Sequence, residues 1–131
     1  MARVTRPRST WRWDDGVMEA QHDLQDLIDE WLDWKGVAGE LGVSVGKVRT
    51  MIREHQLAAV GPRVPAELLM GGEVVKGVPG LLTVLSDGGW SDAEILTWLF
   101  TADDTLPGRP IDALREDRGS EVKRRAQAIA L

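Results

Sequence analysis

The chain contains no cysteine and no tyrosine, and it has one phenylalanine and two histidines. Without cysteine there is no disulfide framework, no thiolate nucleophile and no cysteine-based zinc site. His22 and His55 have no partner at metal-ligand spacing, and His55 reads as a solvated residue at a helix end. No apolar run reaches the roughly eighteen residues that a membrane-spanning helix needs. No GxxxxGK[ST] loop is present, and Val74-Val75-Lys76-Gly77 resembles a phosphate loop only superficially. Residues 1–13 lack the apolar central segment of a secretory signal. Glu40 and Glu54 have no acid–base partner and no His-centred triad exists. These absences predict a cytoplasmic protein that is not an enzyme, needs no metal or cofactor and does not enter membranes.

What is present suits a globular core: 131 residues, 43% of them hydrophobic, with a net charge of −5. The charge is unevenly spread. Residues 34–63 hold five cations and two acids, whereas residues 1–33 hold four cations and eight acids. A partner feels the local field within about 8–10 Å at physiological salt, not the formal total.

The basic stretch is also the best patterned one. Val37, Ala38 and Leu41 fall on one helical face, and Gly42 follows where a left-handed residue ends a helix. Ser44 stands at the N-cap of a second helix whose apolar stripe is Val45, Val48, Met51 and Ile52. Lys47, Arg49, Thr50 and Arg53 are left on the other side. This spacing predicts a helix-turn-helix whose second helix, about Val45 to Glu54, enters the major groove of double-stranded DNA. Ser44, Lys47, Arg49, Thr50 and Arg53 are the candidate contacts. Arg49 or Arg53 would read guanine, Lys47 would sit on phosphate and Gly46 would permit close approach. The alternative is a helical hairpin with a purely structural role.

Residues 56–60 read as a strand that turns at Gly61-Pro62 and returns through Arg63-Val64-Pro65, a short β-hairpin wing with Arg63 near a phosphate. Upstream, Leu24, Leu27, Ile28, Trp31 and Leu32 recur at helical spacing, and Asp33 is placed to cap the next helix. Residues 1–15 read as a disordered basic arm with Arg3, Arg6, Arg8 and Arg12. Thr5, Ser9 and Thr10 within it are candidate phosphorylation sites, where phosphate would weaken attraction to DNA. Downstream, residues 65–70 read as a short helix stopped by Gly71-Gly72. Ser91-Asp92-Ala93-Glu94 is a capping box before Ile95, Leu96, Trp98, Leu99 and Phe100. Pro110 opens another short helix, and Ser120 is expected to cap a last one that turns Lys123, Arg124 and Arg125 outward.

The residues ELGVSVGKVRTMIREHQLAAV resemble the helix-turn-helix of excisionase and MerR-like modules. Together with VVKGVPGLLTVLSDGGWSDAEILTWLF, RPIDAL and EVKRRAQAIAL, they resemble the small actinobacterial, mycobacterial-type winged helix-turn-helix DNA-binding proteins. That family is linked to serine/threonine-kinase signalling, so the resemblance implies DNA binding and a kinase as a partner. WLF…LPGRPIDALR is also similar to the toxin-binding domain of Xre/MbcA/ParS-type antitoxins. It implies a second reading, a protein-interaction module whose C-terminal helices take a protein partner on an apolar patch of Leu96, Leu99, Phe100 and Leu106. The expected architecture is mainly α: a basic arm over 1–15, a winged helix-turn-helix over 16–70, and a C-terminal helical extension over 71–131 packed on it. The expected function is a DNA-binding transcriptional regulator.

Overall fold

Asp33 ends a strand and starts a helix in one step. In the computed structural model, described over residues 24–130, strand β1 is Trp31–Asp33 and helix α1 is Trp34–Leu41. The Asp33 carboxylate accepts the Gly36 amide at 2.7 Å, satisfying a donor that the first helical turn leaves free. Gly42 closes α1 at φ 69°, its amide donating to the Ala38 carbonyl at 2.8 Å. That left-handed step is cheap only without a Cβ. Ser44 then caps helix α2, Val45–Arg53, by accepting the Lys47 amide at 3.0 Å. Val37 and Ala38 of α1 are buried, as are Val48 and Met51 of α2, and the two helices pack on each other. This is the helix-turn-helix that the sequence predicts.

The strands differ from the sequence expectation. Residues 56–60 form no ladder. The Gln56 and Leu57 amides both bond back to the Met51 carbonyl, and the Ala59 amide donates to the Asp92 carboxylate. With those donors committed, only Val60 bridges Arg63 around the Gly61-Pro62 turn. Strand β2, Arg63–Pro65, pairs instead with β1, antiparallel, with Leu32 opposite Val64. Trp31 and Leu32 are therefore extended rather than helical, and among the described residues upstream of them the helical conformation covers 24–27. The expected helix over 65–70 shrinks to a 3-10 turn, Ala66–Leu68. A tight hairpin follows, strand β3 (Leu69–Met70) against strand β4 (Glu73–Val74). Gly71 and Gly72, at φ 62° and 80°, supply the paired positive φ values of a two-residue hairpin turn.

Four helices complete the described chain: α3 (Val78–Asp87), α4 (Asp92–Leu99), α5 (Pro110–Arg115) and α6 (Gly119–Ile129). Helix α3 packs on α4 and α6, and α5 packs on α4 and α6. The Ser91–Glu94 capping box forms in both directions, at 2.9 and 3.2 Å. Ser120 does not cap α6. The helix begins two residues earlier than a Ser120 cap would place it, at Gly119 after Arg118, whose side chain pairs with Glu121. The apolar patch expected for a protein partner is absent, because Leu96 and Leu99 are fully buried and Phe100 is 2% exposed. These side chains fill the core that α3 to α6 share, and only Leu106 keeps partial exposure.

Asp103 fastens the loop between α4 and α5. Its carboxylate, with a side chain only 9% exposed, accepts from the Thr105 hydroxyl and amide, the Trp98 indole and Arg125. Arg125 is thus tied inward, against the outward placement expected from sequence. The Thr105 hydroxyl is the main cause holding the Asp103 carboxyl well below the usual carboxylate range, with the Thr105 amide, Arg125 and Trp98 adding to it against burial. A carboxyl lowered in the folded state stabilises fully above its unfolded value, about pH 4, and that contribution is lost as pH falls through the folded value. Asp103→Asn is therefore expected to lower stability at neutral pH and to flatten its decline below about pH 4. Urea midpoints taken along a pH series check this, and an acid limb as steep as in the parent chain would contradict it.

Candidate nucleic-acid interface

The outward face of α2 is built by the burial of its other face. Val48 is fully buried and Met51 is 9% exposed, and both point into the core. The helical period then leaves Gly46, Lys47, Arg49 and Arg53 exposed, with Thr50 half-exposed beside them. Arg49 and Arg53 are one turn apart, about 6 Å along the axis. Arg53 Nη2 donates to Thr50 Oγ1 at 3.2 Å, which steadies the guanidinium over the same face. The oxygen of Ser44 is used by the cap, so its O–H remains available to donate outward.

Charge pairing separates this face from the rest of the molecule. Among the described residues, ion pairs engage Lys76, Arg109, Arg118 and Arg125, whereas Lys47, Arg49, Arg53 and Arg63 are in none. Arg115 is also committed internally, donating to the Glu67 and Leu69 carbonyls at 2.8 and 2.9 Å. Of the C-terminal triplet, Lys123 and Arg124 remain exposed. Arg63 lies exposed at the start of β2, opposite Asp33 in the ladder. The structure thus brings Ser44, Lys47, Arg49, Thr50 and Arg53 onto one helix and sets Arg63 apart on the sheet. The candidate phosphorylation sites Thr5, Ser9 and Thr10 lie outside the described residues.

The fixing of α2 was missed by sequence reasoning. Its C-terminus closes with His55 at φ 62°. The His55 amide donates to Ile52 and the Gln56 amide to Met51, at 3.2 and 2.8 Å, a left-handed cap built on a non-glycine residue. His55 is half-buried rather than solvated, and its Nε2 lies 3.2 Å from the Ser86 hydroxyl of α3. Across the α3–α4 turn from Ser86, the first residue of α4, Asp92, takes the Ala59 amide at 3.1 Å. Burial is the main influence on the Asp92 carboxyl and pushes it up, against the Ala59 amide and the nearby His55. The capping box advertised Asp92 only as a helix-start residue.

Both halves of the chain have known counterparts. Residues 18–69 match a family model described as the wHTH domain of the DNA-binding protein Rv2175c. Residues 75–130 match the Rv2175c C-terminal domain of unknown function. The DNA-binding protein Rv2175c of Mycobacterium tuberculosis is 42% identical over 132 residues, spanning 88% of this chain and 90% of that protein. The NMR structure of Rv2175c is similar at a TM-score of 0.70 and 41% identity, covering 78% of this chain and 82% of that one. This family is not one of enzymes, in agreement with the sequence reading. Two family models in the same order and identity across nearly the full length leave one assignment: the chain belongs to the Rv2175c family of mycobacterial-type winged helix-turn-helix DNA-binding proteins.

Proposed function

We propose that this chain binds double-stranded DNA and acts as a transcriptional regulator, with α2 lying in the major groove. The observation that carries this is the face of Lys47, Arg49 and Arg53, exposed on one helix and in no ion pair among the described residues. A protein with 21 acids that leaves these cations unmatched holds them for an external anion. The name of its relative, a DNA-binding protein, points the same way. Arg49 and Arg53 carry forked donors that match guanine edges, Thr50 suits a base edge or thymine methyl, and Lys47, the Ser44 hydroxyl and Arg63 suit phosphates. Fluorescence anisotropy with duplex DNA across a salt series tests the proposal. The logarithm of affinity should fall linearly with that of salt, by roughly 0.9 per phosphate neutralised. A folded protein that fails to bind even at low salt would sink it.

Gly46 offers a sharper check. A Cβ there would meet only the Ser44 hydroxyl at 3.8 Å, so the fold leaves room for alanine. Gly46→Ala is expected to stabilise the protein by roughly 0.5 kcal/mol through helix propensity. It should weaken DNA binding all the same, because the added methyl stands where the helix backbone approaches the duplex. Stability from urea melts and affinity from anisotropy moving in opposite directions would locate the need for glycine in the DNA contact. An alanine variant that binds as tightly as the parent would remove Gly46 from the interface.

A further inference from the structure

We propose that the C-terminal helices set the pose of the recognition helix through a two-point bolt, His55 to Ser86 and Ala59 to Asp92. The inference rests on the proposed role of α2 in DNA binding and assigns a task to the half of the chain whose family model carries no function. Helix α2 packs as an element on α1 and exposes its opposite face. Its amino end is set by the Gly42 turn and the Ser44 cap. Its carboxyl end runs straight into residues 55–59, and among the described residues both side-chain bonds on that segment come from outside the helix-turn-helix. Ser86, in the last turn of α3, lies 3.2 Å from His55 Nε2, and which of the two donates follows the histidine tautomer. Asp92, the first residue of α4, accepts the Ala59 amide at 3.1 Å. Sequence separations of 31 and 33 residues make both bonds strictly tertiary.

The backbone of this stretch is tied to α2 only as far as Leu57, whose amide, like those of His55 and Gln56, bonds back into the helix. His55 sits at φ 62°, a conformation that a residue with a Cβ adopts at a cost. The Ala59 amide has no ladder partner, because residues 56–59 form no strand. Leu57 and Ala58 are fully buried between the two contacts, so the segment is pinned from its flanks and its centre. Ser86 and Asp92 flank the α3–α4 turn, so one structural unit supplies both points. A tilt of α3 and α4 against α1 would be passed to the end of α2 that carries Arg53. Ser86 and Asp92 are positioning residues, with DNA contacted only by the helix they orient.

The test uses the full chain and three kinds of variant. Ser86→Ala with Asp92→Ala removes both points. Ser86→Thr with Asp92→Asn keeps a hydroxyl and an acceptor oxygen at the same places. Val122→Ala, in the core of α6, lowers stability without touching the bolt. Affinity for duplex DNA is measured under conditions where all three are folded, and amide NMR shifts of residues 45–53 are recorded without DNA. The double alanine variant is expected to bind roughly 3- to 30-fold more weakly and to move the α2 amides. The conservative pair should restore both readouts, and Val122→Ala should leave both at parent values. Unmoved α2 amides, or an equal affinity loss in Val122→Ala, would overturn the bolt. If the parent chain binds no DNA while the α2 amides still move, the DNA-binding reading fails and the bolt stands.

Discussion

The Arg49→Ala, Arg53→Ala double variant is expected to bind duplex DNA at least about 30-fold more weakly than the parent chain, because each arginine removed costs roughly 1–3 kcal/mol. Both side chains are exposed, and among the described residues Arg53 bonds only to Thr50 on its own helix. Surface substitutions of this kind change stability by about 0.5 kcal/mol or less, so the loss reports the interface and not unfolding. The salt dependence says how each arginine acts. A phosphate-binding cation lowers the salt slope by roughly one when it is removed and weakens all sequences alike. A base-reading arginine instead narrows the gap between a selected site and random duplex. Arg49→Lys and Arg53→Lys sharpen the distinction, since lysine keeps the charge but not the fork that matches guanine. Parent-like binding by the double alanine variant at every salt concentration would remove α2 from the groove.

Arg109→Ala should be among the most destabilising single substitutions, by about 2–3 kcal/mol. Arg109 precedes Pro110 at the start of α5 and ties three elements together. Its Nε and Nη2 grip both oxygens of Asp112 at 2.8 and 2.6 Å, and Nη2 also reaches Glu67 at 2.9 Å. The guanidinium carbon stands 5.5 Å from the centre of the Phe100 ring, within reach of a cation–π attraction. The Arg109 hydrogen bonds are the main cause holding the Asp112 carboxyl below its ordinary range. Truncation would leave two carboxylates facing each other at a site where Arg109 and Glu67 are each 29% exposed. Breaking a fully buried pair costs about 3–5 kcal/mol, and partial exposure reduces that. Arg109→Lys should recover only part of the loss, because an ammonium cannot grip both oxygens of one carboxylate and a second acid in the same geometry. Urea denaturation with a double-mutant cycle against Glu67→Gln isolates the contact between the two halves of the chain. A loss under about 1 kcal/mol would mean that the cluster is solvated and contributes little.

The helix-turn-helix was legible in the sequence because everything that defines it is local. Asp33, Gly42, Ser44 and the Ser91–Glu94 box each act on an amide or carbonyl within about four residues, so residue type and spacing suffice to place them. The face of Lys47, Arg49 and Arg53 follows from the burial of Val48 and Met51 one helical period away. What sequence could not decide was pairing at a distance. Trp31 and Leu32 have helical spacing with Leu24 and Ile28, yet they are extended because β2, about thirty residues on, supplies the ladder. The expected wing lost its first strand because the Ala59 amide was taken by Asp92. Leu96, Leu99 and Phe100 could be read equally as a docking patch or a core, and only the packing of α3 to α6 around them settled that they are core. Arg125 turned inward for the same kind of reason, since Asp103 lies 22 residues away in sequence and one hydrogen bond away in space. Local hydrogen bonds are encoded by neighbours along the chain, whereas a strand partner, a buried face or an ion pair belongs to whichever distant group the fold brings within reach.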